Sequence, residues 1–158
     1  MRRALAAALL LLALAGCGLR PSEAADAGPA PTGVASGVTL YFLDAEGELV
    51  PQLRETHRLG TISEALSLLF TGPGSSEVST EIPADLPSRV VVTTRPGQVE
   101  LRVPLAYYEI SETGIDQIVC TALGVHVQSG GSTDTTVRLR FTQDTPESDK
   151  DRTCPLIG

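Results

Sequence analysis

Five side chains in this sequence offer thiol or imidazole chemistry at neutral pH: Cys17, Cys120, Cys154, His57 and His126. A cysteine offers a nucleophile, a soft metal ligand or half of a disulfide. A histidine offers a proton relay or a borderline ligand. Spacing decides which of these chemistries is open. His57 falls in an expected loop and His126 just past the second expected helix, and neither has a Cys, His or carboxylate at metal-ligand spacing beside it. Both read as surface or capping residues. No G-x-S-x-G nucleophile elbow and no Walker-type or dinucleotide-binding glycine loop occurs. Ser129-Gly130-Gly131-Ser132 is glycine-rich, but it precedes a strand instead of opening a helix. The acids of Asp144 to Asp151 lack the spacing and central glycine of an EF-hand, which favours a solvated acidic tail over a calcium loop. The expectation is therefore no catalytic residues, no cofactor and no metal.

Cys17 stands apart because of what precedes it. Met1-Arg2-Arg3 is cationic, and Ala4 to Ala15 is an unbroken run of 12 Ala and Leu residues. That run is too short for a permanent span of about 30 Å of hydrocarbon, which takes roughly 20 residues. It has the form of an export signal. The run closes in Leu14-Ala15-Gly16-Cys17, whose small residues admit a peptidase and whose thiol accepts a diacylglyceryl group. This tetrapeptide resembles the lipobox of bacterial lipoproteins. The expected precursor has a signal at residues 1–16 and a lipidated Cys17 that anchors the chain on the extracytoplasmic face of the cell membrane. Two or more acyl chains, at about 0.8 kcal/mol per buried methylene, hold durably where one does not.

Removing the signal takes two of the 12 basic residues and none of the 19 acidic ones, leaving 10 against 19 and a formal charge of −9. That balance argues against nucleic acid or anionic lipid headgroups as partners of the folded part. With Cys17 assigned to lipid, Cys120 and Cys154 form an even pair in an oxidising compartment. They read as a disulfide, with two free thiols as the alternative.

The elements that must position these residues follow from the pattern. Residues 17–36 are rich in Ala, Gly and Pro without apolar period and read as a lipidated, flexible tether with a reach on the order of 25 Å. Val38 to Asp44 reads as a buried strand, and Leu49 to Leu53 as a short returning strand confined to an edge by Pro51. Thr61-Ile62-Ser63-Glu64 fits a capping box, after which Ile62, Ala65, Leu66 and Leu69 share a stripe until Gly72-Pro73-Gly74 ends the helix. Residues 74–87 read as a surface loop. Arg89–Thr94 and Gln98–Val103 flank the turn Arg95-Pro96-Gly97 as a hairpin. A second helix is expected over Thr113–Leu123, with Gly124 near its end, and a last strand over residues 135–142. At about 100° per residue Cys120 lies roughly 140° from Ile115, off the apolar stripe, where a polar tail crossing the outside of the helix could bring Cys154 to it. Two strands show one polar face, so helices cover only the other. The fold expected is α+β, a two-layer sandwich with an antiparallel or mixed sheet and two helices on one face, in the order β-α-β-β-α-β and of ferredoxin-like connectivity. The arginines of the polar face, with Glu100, either pair across strands or form a partner-binding face.

Several segments resemble the GerMN domain: Val38-Thr39-Leu40-Tyr41-Phe42-Leu43-Asp44, the helix end Leu68-Leu69-Phe70-Thr71-Gly72-Pro73, Thr80-Glu81-Ile82-Pro83, the hairpin through Val103, Gln117-Ile118-Val119-Cys120-Thr121-Ala122-Leu123 and Val137-Arg138-Leu139-Arg140-Phe141. The likeness runs over residues 37–142, with 143–158 as an acidic tail pinned by the disulfide. It implies an envelope lipoprotein of the Gram-positive type, related to sporulation, germination or envelope signalling. Its domain would be a non-enzymatic interaction module with an envelope protein as partner. The alternative is a ligand-binding or hydrolytic envelope domain whose site forms only in three dimensions.

Overall fold

The computed structural model describes residues 37–158. The expected signal peptide, the tether and the lipidation of Cys17 lie outside the described residues. Eight elements follow in order: β1 (Gly37–Leu43), β2 (Leu49–Glu55), α1 (Ile62–Phe70), β3 (Val91–Arg95), β4 (Gln98–Arg102), α2 (Glu112–Gln128), β5 (Thr136–Arg140) and β6 (Asp151–Arg152). The α+β class holds. The strands, however, divide between two sheets where one was expected: an antiparallel pair β1-β2, and a mixed sheet of order β3-β4-β5-β6 in which only β4 and β5 run parallel. Ferredoxin-like connectivity would need β1 in the main sheet, and it is not there.

Local chemistry sets most element boundaries. Thr61 and Glu64 form the reciprocal cap of α1, with Glu64 N–H donating to Thr61 Oγ1 at 3.2 Å and Thr61 N–H to the Glu64 carboxylate at 2.8 Å. That backbone bond, then Arg58, holds the Glu64 carboxyl below its usual range. The β3–β4 hairpin closes on Arg95 opposite Gln98, so Pro96 and Gly97 alone make the turn, Gly97 taking φ +75°. The second helix is longer than the sequence suggests. It begins under the Ser111 cap and runs through Gly124 to Gln128. Gly124 does not stop it: the residue lies buried mid-helix beside Tyr41, without the positive φ of a helix-ending glycine.

Val38, Leu40 and Phe42 of β1, Leu66 and Leu69 of α1, Ile115, Ile118 and Leu123 of α2, and Val99, Leu101, Val137 and Leu139 of the main sheet are all buried in one core. α2 packs against α1, β1 and β5 and is buried nearly all round from Gly114 to Val125. The loop after α1 is only partly at the surface. Ile82 enters the core, and Ser79 exchanges backbone bonds with Leu43 at 2.9 and 2.8 Å.

Candidate interaction surface

Cys120 and Cys154 are joined as a disulfide, with α-carbons 4.8 Å apart. The setting differs from the expected one. Cys120 is fully buried, not on an exposed flank, and Cys154 is buried with it. The reason is the tail itself. Ile157 packs on the core beside Gly124 and Tyr41, and β6 pairs with β5, so the chain end covers the side of α2 that the helical pattern left open.

The tail acids are not simply solvated. Asp151 meets Arg138 at 2.9 Å and Asp149 meets Arg140 at 2.7 Å, while Glu147 takes Arg152 at 3.2 Å and Lys150 at 2.8 Å. Glu100 accepts Arg140 at 3.5 Å and Arg95 at 3.6 Å across neighbouring strands. The polar face of the main sheet is therefore an ion-pair lattice laid over β4, β5 and the tail. Exposed pairs of this kind contribute about 0–1 kcal/mol each. Arg152 also reaches back to Glu112 at the start of α2 at 2.7 Å. A hydrogen bond from the Tyr107 hydroxyl, and then Arg152, hold the Glu112 carboxyl below its ordinary range. Among the described residues, Arg102 on the same face has no acidic partner.

The two histidines are not brought together with other reactive groups. His57 is exposed in the β2–α1 loop at φ +58°. His126 sits in the last turn of α2, its Nε2 3.1 Å from Thr135 Oγ1, and its ring fills the space over Gly131. A cleft of about 300 Å³ is lined by Val38, Leu59, Ala65 and Leu68 together with the paired Arg58 and Glu64; His57 does not line it. Among the described residues no three His, Cys, Asp or Glu side chains converge as a metal site, and no helix is long and apolar enough to cross a membrane.

Gln117 and Thr121, part of a GerMN-like segment but given no role by the sequence reading, are the polar residues that tie α2 to β1. One helical turn apart on α2, both are fully buried. Thr121 Oγ1 accepts the Tyr41 N–H at 3.1 Å, and Gln117 Nε2 donates to the Tyr41 carbonyl at 3.0 Å. Gln117 Oε1 accepts from Thr80 Oγ1 at 3.1 Å and from the Glu81 N–H at 3.0 Å. Together with the Leu43–Ser79 bridge, these bonds occupy the edge of β1 that faces away from β2. The signal was available: two polar side chains spaced i, i+4 inside an otherwise apolar helix need partners.

The other sheet edges are guarded in different ways. On β2 the pairing parity turns Pro51 outward, where its missing N–H takes a donor from the edge. β6 has only two residues. β3 is the exception. Its residues are mostly exposed, Val91 at 55%, and it contains no proline. No protein-family model, curated protein or solved structure matches this chain.

Proposed function

We propose that this chain is a non-enzymatic interaction module of the GerMN type, tethered through lipid on Cys17 to the extracytoplasmic face of the cell membrane, where it binds an envelope protein. The observation that carries the reading is the main sheet, which turns one charged face and one unguarded strand edge to solvent. A lattice of arginines and acids fixes orientation and selects against wrong partners more than it adds affinity, as recognition surfaces do. Support for the anchor is the cationic head, the apolar run and Leu14-Ala15-Gly16-Cys17.

Two measurements test this. Cys17→Ser should leave unprocessed precursor and abolish metabolic labelling with a fatty acid; undiminished labelling rejects the anchor. Crosslinking and capture from native membranes should identify an envelope protein that binds wild type, His57→Ala and His126→Gln alike, and that Arg102→Glu loses. A deletion phenotype reproduced by either histidine change in a stably folded protein would reject the module reading. A second reading, a ligand-binding envelope domain, is favoured by the apolar cleft at Leu59 and Leu68, whose volume is at the small end for ligand pockets.

A further inference from the structure

We infer that β3 is a self-pairing edge: two copies of this chain join antiparallel, β3 to β3, about a two-fold axis at Thr93, making one continuous sheet across the pair. This deepens the module reading and rests on it in taking the open sheet edge as a contact surface.

The hairpin geometry says which backbone groups are free. A two-residue turn closed by Arg95 and Gln98 makes that pair a hydrogen-bonded one, and antiparallel pairs alternate. Arg95, Thr93 and Val91 therefore spend their backbone groups on β4. Val90, Val92 and Thr94 point theirs the other way. Val90 checks the parity, since its carbonyl accepts from Ser63 Oγ of α1 at 2.8 Å, on the side away from β4. Beyond that contact the helix stops guarding the edge. Among the described residues nothing meets the outward N–H and C=O groups of Val92 and Thr94.

Those two residues are complementary to their own copies. In an antiparallel pairing centred on Thr93, Val92 of each chain exchanges both backbone bonds with Thr94 of the other. Thr93 then faces Thr93, a favourable cross-strand pair, and Val91 faces Arg95, so no like charges oppose each other. The sequence of β3, Val-Val-Thr-Thr-Arg, is β-branched up to its last residue and has neither bulge nor proline. Elsewhere in this fold the edges carry devices that hinder strand addition: Pro51 removes an outward donor from β2, β6 has two residues, and side chains of α2 meet β1. Their absence at β3 marks it for strand pairing, and the symmetric register commits the partner to a second copy.

The experiment uses the full chain in its native envelope. Thr93 stands at the axis in a non-hydrogen-bonded pair, with α-carbons about 4.5 Å apart, inside disulfide range. Thr93→Cys should form a disulfide-linked homodimer, visible on a non-reducing gel and confirmed by mass spectrometry. Leu53→Cys, also exposed but on the β2 edge beside Pro51, should not. Adding Thr94→Pro to Thr93→Cys removes an outward N–H without touching the β4 ladder and should abolish the dimer. Thr93→Lys, which sets like charges across the axis, should lower self-association of otherwise wild-type protein in chemical crosslinking. A Thr93→Cys chain that dimerises no more than Leu53→Cys overturns the proposal. So does one whose crosslink joins a different protein, an outcome that leaves the module reading standing. Capture that fails in the partner experiment while Thr93→Cys still dimerises would reject the partner reading and support this one.

Discussion

The outer edges of β1 and β3 began with the same problem and met opposite solutions. Each presents backbone donors and acceptors that a strand neighbour does not use. At β1, Gln117 and Thr121 reach from α2 and Ser79 from the loop, and the edge disappears into the core. At β3 only Val90 is met, by Ser63, and the rest stays open to water. The difference is one of burial. Inside, an unmet carbonyl or N–H costs about 1–3 kcal/mol, so side chains must be supplied. Outside, water meets the groups at little cost, and the edge is left available for association.

The largest break in this contrast should come from the disulfide. It closes a loop with a sequence separation of 34 and holds the tail over α2, the helix that seals β1. In the chain-entropy model its loss costs about 3–4 kcal/mol. Paired Cys120→Ala and Cys154→Ala changes should lower the melting temperature strongly by circular dichroism, and hydrogen exchange at Tyr41 should rise while that of the β3 edge stays fast.

Gln117→Leu attacks the sealed edge directly. It strands the Tyr41 carbonyl, the Thr80 hydroxyl and the Glu81 N–H, for a loss of about 2–4 kcal/mol by denaturant unfolding. Thr121→Val keeps shape and strands one N–H, for about 1–2 kcal/mol. Equal effects of the two would contradict the bond assignment.

A weaker dependence on α2 should show in pH. Burial pushes the Asp116 carboxyl on α2 above its usual range, against the pull of Arg152. A raised folded-state pKa means that the protonated form is favoured on folding. That stability is present below the unfolded pKa and is lost as pH rises through the folded one. Asp116→Asn should therefore raise the melting temperature slightly at neutral pH and give no gain near about pH 3, below the ordinary carboxylate range. An equal shift at both values would assign the effect to packing. Glu112, with its pKa lowered by Tyr107 and Arg152, runs the other way: its contribution is present above the unfolded pKa and is lost as pH falls through the folded one.

Local rules made much of this legible. The capping box at Thr61 and Glu64 and the alternation of β4 and β5 each depend on a few consecutive residues and stand where the sequence put them, whereas the expected turn Arg95-Pro96-Gly97 tightens to Pro96-Gly97 because Arg95 pairs with Gln98. The end of α2 lies beyond Gly124, because a glycine looks the same in sequence whether it ends a helix or sits buried within one. The disulfide was one of two readings of Cys120 and Cys154 once Cys17 is set aside, and the burial of Cys120 was not legible, since the side of a helix that a distant tail covers has no local marker.

Periodicity, caps and the α+β class are written in the residues themselves; between a disulfide and free thiols at Cys120 and Cys154 the choice comes with the fold. Tertiary structure alone decided that β1 leaves the main sheet, that the tail acids go to Arg138 and Arg140, and that β3 keeps an open edge. The physical reason is range. Backbone propensity acts over a few residues, whereas the satisfaction of a buried polar group depends on whichever segment arrives beside it, here Gln117 meeting Tyr41 across 76 positions of chain.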